Sequence, residues 1–200
     1  MHIQRCHGVV FAGNQITGSR MGAFFLAEYC KNATITGNLV DGSNGSRVMS
    51  VEKSCENVTI VGNTFRGGGR GSWINQPKNL ILQGNLFINN TTKGEHDPWR
   101  GRRSWKTGDW EQFPEMYFTL HEEDGQYGPV ILRDNIFTTG PEAAAAIHFE
   151  RNGKSILVDG NVFRGATGKL LVDRSTELEL GTNVNAEVVR PPANVRFGNP

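Results

Sequence analysis

The sequence predicts an all-β solenoid, a chain wound into stacked rungs of short strands. Two observations carry this. The nine residues Asn57-Val58-Thr59-Ile60-Val61-Gly62-Asn63-Thr64-Phe65 recur, and the recurrences keep a near-constant spacing. Copies with the same order are Asn32-Ala33-Thr34-Ile35-Thr36-Gly37-Asn38-Leu39-Val40 and Asn79-Leu80-Ile81-Leu82-Gln83-Gly84-Asn85-Leu86-Phe87. Val130 to Phe137 and Ile156 to Phe163 continue the series, with weaker copies around Asn14 and Asn183. A fixed period of this length is the mark of a repeat architecture.

The bend asparagines stand at 14, 38, 63, 85, 135, 161 and 183, so the steps are 24, 25, 22, 50, 26 and 22. The step of 50 reads as one rung carrying an insertion, because Lys93 to Pro114 holds no copy of the motif. Seven rungs result. Counting back from each Asn, the third residue is Phe11, Ile35, Ile60, Leu82, Leu132, Val158 or Leu180. The fifth is Val9, Ala33, Val58, Leu80, Val130, Ile156 or Leu178, and Ile16, Val40, Phe65, Phe87, Phe137 and Phe163 lie two places after it. Alternation of period two marks strands with one buried face. One rung cannot cover that face alone, so the rungs must stack.

The bend itself has a physical reason. Asn tolerates left-handed backbone and carries both a donor and an acceptor. Amides stacked about 4.8 Å apart can bond from rung to rung as a ladder. The bend asparagines are therefore expected to be structural, and the Asn-x-Thr matches they generate are not read as glycan sites. Cys6, Cys30 and Cys55 each precede their Asn by eight residues. They are expected to stack as small inward side chains rather than to bind a metal.

This pattern resembles the right-handed parallel β-helix of the pectate-lyase-like superfamily, and the resemblance spans nearly the whole chain. It implies one β-helix domain over residues 1–200, with the insertion at 93–114 as a long loop. It also implies an extracellular or cell-envelope setting and a polysaccharide partner. Hydrolases, lyases, epimerases and non-catalytic proteins share this scaffold, so the fold alone does not name an activity.

Composition bounds the rest. Net charge is +1, which provides no global field for nucleic acid, and no apolar run is long enough to span a bilayer. The start carries no charged region followed by an apolar one, so no secretory signal is expected within these residues. Since solenoid ends usually carry polar caps, the chain is expected to be the inner or C-terminal part of a longer protein. Arg66 to Gly71 reads as a mobile glycine loop.

The candidate chemistry lies on the strand that leads each rung. Outward alternation aligns Glu52, Ile74, His121 and Glu150 in one column, with Ser50, Ser72, Thr119 and His148 beside it. A carboxylate next to an imidazole can orient it and tune it for proton transfer. His121, Glu150, Glu122 and Asp97 are the catalytic candidates, with Glu52 and His148 as substrate contacts. The insertion adds Trp99 and Trp105 as sugar-stacking rings, and Arg100, Arg102 and Arg103 as partners for uronic acid carboxylates. A hydrolase needs two carboxyl groups about 5–9.5 Å apart, for which Glu150 with Glu122 or Asp97 is the better pair. In a lyase, His121 or an insertion arginine is the base, and Glu150 helps hold Ca²⁺; otherwise no cofactor is expected. The rival reading is a non-catalytic carbohydrate-binding or structural solenoid of a surface or tail-fibre protein.

Overall fold

The computed structural model describes residues 1–19, 22–45, 47–92, 113–121 and 125–190. They form a right-handed parallel β-helix, three parallel sheets wrapped around one apolar core. Sheet A has eight strands, His2–Gln4, Gly22–Ala27, Arg47–Val51, Ser72–Asn75, Met116–Thr119, Ile147–Phe149, Lys169–Val172 and Glu187–Val189, paired in chain order. Sheet B has seven strands, one per bend motif, and sheet C six. The strand Lys78–Gln83 pairs directly with Val130–Arg133, placing Leu82 opposite Leu132. Asn85 and Asn135 thus belong to successive rungs, as the 50-residue step predicted. Residues 93–112 lie outside the described residues.

The bends build an unbroken amide ladder. In each link one Asn donates from its backbone N–H and its Nδ2 to the Oδ1 of the next rung's Asn. The links Asn14–Asn38, Asn38–Asn63, Asn63–Asn85, Asn85–Asn135, Asn135–Asn161 and Asn161–Asn183 are all made, at 2.8–3.1 Å. The left-handed residue is the Gly before the Asn, with φ of 62° at Gly37 and 66° at Gly62, and not the Asn itself. Asp134 takes that conformation in the fifth rung, at φ 56°. A second ladder, unforeseen in the sequence, runs along the exposed corner. Asn79 donates to Asn57 at 2.9 Å and Asn57 to Asn32 at 3.0 Å, all three with left-handed backbone.

Inside, the predicted columns fill the core. Phe65, Phe87, Phe137 and Phe163 stack at centroid distances of 5.3, 4.9 and 5.3 Å, near-parallel, because rung spacing sets ring spacing. At the last described rung the column opens, and Leu180 is 44% exposed. The cysteines are free thiols, Cys30 and Cys55 buried and Cys6 exposed on the first rung.

The glycine run after Phe65 corrects the expectation of a loop. Thr64–Gly68 is a strand, and Gly68 and Gly69 are buried. Gly68 donates its N–H to Asn90 Oδ1 at 3.0 Å. At Gly71, φ is 68° and an added Cβ would lie 2.2 Å from the Pro114 carbonyl oxygen and 2.7 Å from that of Glu115. Gly71→Ala is therefore expected to destabilise by at least about 2 kcal/mol, since backbone strain and a backbone clash act together. Urea denaturation measures it, and an unchanged midpoint contradicts the packing described.

Candidate functional site

On the outer face of sheet A, two columns run side by side. Phe25, Ser50, Trp73, Tyr117, His148 and Leu171 are register partners through successive rungs. Two residues further along, the same register carried past the paired residues aligns Glu52, Asn75, Thr119, Glu150 and Asp173, with Asn75 and Thr119 directly paired. Alternation on a strand puts residues two apart on the same face, so the second column stands at the sheet's margin, where the strands give way to the next turn.

This differs from the predicted column in the fourth and fifth rungs. Ile74 and Ser72 are wholly buried, Ile74 within the core cluster, and Trp73 and Asn75 take the outward places. Thr119, not His121, lies beside Glu150. The reason is turn length. Val58 follows Val51 by seven positions, whereas Leu80 follows Ile74 by six, although both pairs hold the same places in the two sheets. A single deleted turn residue flips the apparent face of a strand aligned from the bend.

The sequence candidates Glu52, His121 and Glu150 nevertheless line one open cleft of about 340 Å³, together with Lys53, Trp73, Asn75, Tyr117, Thr119 and Leu120. Glu150 sits half-buried. Its Oε2 accepts the Leu120 N–H at 3.0 Å, and its backbone carbonyl accepts the hydroxyls of Tyr127, at 2.8 Å, and Thr176. Burial holds the Glu150 carboxyl above its ordinary value, against the opposing pull of the Leu120 N–H and Arg151. Glu52 is ion-paired with Arg47 at 3.0 Å. The Arg47 guanidinium lies over the Trp73 ring, 3.2 Å from its centroid, in the column where the small Ser50 precedes that ring. Thr119 Oγ1 accepts from Trp73 Nε1 at 2.6 Å and from Asn75 Nδ2 at 2.9 Å, which closes the floor between the two carboxyls.

His148 points outward as predicted but is only 6% exposed, stacked on Tyr117 at a centroid distance of 4.8 Å. Burial pushes its pKa down to about 4, partly countered by Asp173. It is a neutral ring supporting the cleft wall, not part of the lining. His121 is exposed, its N–H donating to Gln76 Oε1 at 2.9 Å. Glu122, Asp97, Trp99, Arg100, Arg102, Arg103 and Trp105 lie outside the described residues. The insertion's roots, Thr92 and Phe113, precede the sheet A strand Met116–Thr119, whereas the cleft forms at that strand's end.

The wall and floor residues Trp73, Asn75, Tyr117 and Thr119 were not singled out as site residues from sequence. Their signal was the alternation Trp73-Ile74-Asn75 and Tyr117-Phe118-Thr119, legible once the shorter turn is allowed for.

Two comparisons with known proteins bear on this arrangement. Residues 1–97 match a family model described as "Periplasmic copper-binding protein (NosD)". No curated protein matches the chain.

Proposed function

We propose that this β-helix is a carbohydrate-active protein whose cleft at the margin of sheet A takes a segment of polysaccharide, with Glu150 as the proton donor. The observation that carries the reading is the placement of Glu150, half-buried in the cleft lining with one carboxyl oxygen fixed by the Leu120 N–H. A general acid must hold its proton more tightly than an ordinary carboxyl, be fixed in direction and face the substrate. Burial raises its pKa, the Leu120 N–H fixes one oxygen, and the carboxyl is part of the cleft lining. His121, exposed at the rim, supplies a second polar group to the lining.

Glycosidic hydrolysis fits this set better than elimination. Elimination beside a uronate carboxylate requires a cation to neutralise that carboxylate, and the lysine of the cleft is already ion-paired with Glu28 at 2.9 Å. Glu52 and Glu150 stand three rungs apart, roughly 14 Å at the backbone from the usual strand spacing. That separation favours the second reading, glycan binding without turnover, unless the two side chains converge on the sugar.

Glu150→Gln separates the two. Expected in a hydrolase is a loss of reducing-end release of about 10²–10⁴-fold with glycan binding retained. Because the folded carboxyl is raised, wild-type activity holds through the ordinary carboxylate range and falls as pH climbs past the raised value. Equal turnover by wild type and Glu150→Gln contradicts the assignment.

The matched family's description names copper, and the described residues do not fit it. They contain no group of three or more His, Cys, Asp or Glu side chains able to hold a metal. The cysteine stack is engaged as thiols: Cys30 Sγ donates to the Ala27 carbonyl at 3.2 Å and Cys55 Sγ to that of Glu52 at 3.1 Å. Burial pushes the Cys55 thiol up to about 12, far from the thiolate that a metal needs. The same description names the periplasm, which supports the envelope or extracellular setting expected from the fold.

A further inference from the structure

We infer that the glycan recognised in this cleft carries no carboxylate groups: it is a chain of uncharged or amino sugars, not of uronic acids. The inference rests on the reading that the cleft binds a glycan, and it specifies the class. It also departs from the uronic acid substrate for which the insertion arginines were considered.

Among the described residues, the carboxyl and ammonium groups of the lining are Glu52, Glu150 and Lys53. Recognition of a sugar carboxylate calls for a guanidinium or ammonium with donors available to it. Lys53 Nζ instead reaches back along the coil to Glu28 at 2.9 Å, and this contact is the main cause holding the Glu28 carboxyl down at about 2. Arg47 bonds Glu52 at 3.0 Å and lies over the Trp73 ring. Arg151 follows Glu150 in sequence but does not line the cleft. Among the described residues, an incoming carboxylate therefore meets two carboxyls, with Lys53 and Arg47 already engaged.

The position of Glu150 sharpens the conflict. Asp173 follows it in the same outward column and already opposes its ionisation. A further carboxylate brought into this column adds like charge to it, which weakens binding. Sugar hydroxyls face no such penalty. A protonated or ionised Glu150, Glu52 and the Asn75–Thr119 floor offer acceptors and donors suited to neutral hydroxyl groups. An amino sugar gains in addition from the carboxyls.

Calorimetric titration of the whole chain at low salt tests this with four sets of hexasaccharides. Two are uncharged (β-glucan and mannan), one is cationic (chitosan) and one is acidic (oligogalacturonate). The expected result is at least tenfold tighter binding for an uncharged or cationic set than for the acidic one. That ratio should shrink in Glu52→Gln and as salt is raised, because screening weakens the repulsion. Circular dichroism confirms that Glu52→Gln remains folded. Acidic hexasaccharide bound as tightly as the best of the others overturns the inference and leaves the glycan reading standing. Binding of none of the sets removes the glycan reading, and this inference with it.

Discussion

Replacing Asn85 by alanine is expected to lower the unfolding free energy by about 3–5 kcal/mol, among the largest effects of any single substitution. Asn85 is wholly buried. Its Oδ1 accepts both the backbone N–H and the Nδ2 of Asn63 at 3.0 Å, and its Nδ2 donates to the Ile60 carbonyl at 2.8 Å. Alanine leaves the Asn63 N–H and the Ile60 oxygen without those partners, in a place water does not reach. Each stranded group costs about 1–3 kcal/mol, and the lost side-chain volume adds to the sum. Asn14 occupies the same column on the exposed first rung, and its replacement is expected to cost under about 1 kcal/mol, because solvent can take over the bonds. Urea denaturation of the two variants measures the contrast. Similar losses at both positions contradict the ladder as a source of stability.

Glu115→Gln is expected to gain stability relative to wild type as pH rises from 5 to 8, the contribution of the buried His148 being common to both proteins. Glu115 is fully buried beside the roots of the insertion, where its carboxyl accepts the Asn90 N–H at 2.9 Å and the Asn90 Nδ2. Asn90 in turn accepts the Gly68 N–H, so Glu115 ends a short third ladder. Two donors from one residue do not replace the hydration of a carboxylate, and burial pushes its pKa up to about 7 from the ordinary 4.5. A raised folded value means that stability is fully present below 4.5 and is lost as pH rises through 7. The loss is about 3 kcal/mol. Gln accepts from Asn90 without ionising, so at pH 8 the variant should be the more stable protein. Surface carboxyls such as Glu56 and Glu177, held low by Lys31 and Lys154, act in the opposite sense. They are present in both proteins and cancel in the difference. Parallel stability profiles for the two proteins contradict the buried carboxyl as the source.

The parts of the fold legible in the sequence were those tied to the bend. The Gly-Asn pair sets a fixed origin for sheets B and C, so the Phe65–Phe163 stack and the columns around Ile60 and Val58 could be read by counting. Sheet A is joined to that origin by turns of unequal length. Counting across them placed Ile74 on the outer face and set His121 beside Glu150, where Asn75 and Thr119 belong. Glu52 and Glu150 were found because their own rungs share the seven-residue spacing, Val51 to Val58 and Phe149 to Ile156. The burial of His148 was not legible, since it depends on Tyr117 stacking from the neighbouring rung. The Arg47 contact with Trp73 was hidden for the same reason: it depends on which small residue lies beneath a ring one rung away.

The central claim is that glycan enters the cleft bounded by Glu52, Trp73 and Glu150. Trp73 lies in that lining, and the other three tryptophans, Trp99, Trp105 and Trp110, can be replaced by phenylalanine to leave it as the single reporter. Its fluorescence should then change saturably as the bound hexasaccharide is added, with the same Kd as calorimetry. Calorimetric binding that leaves the Trp73 emission unaltered would place the sugar elsewhere and contradict the account.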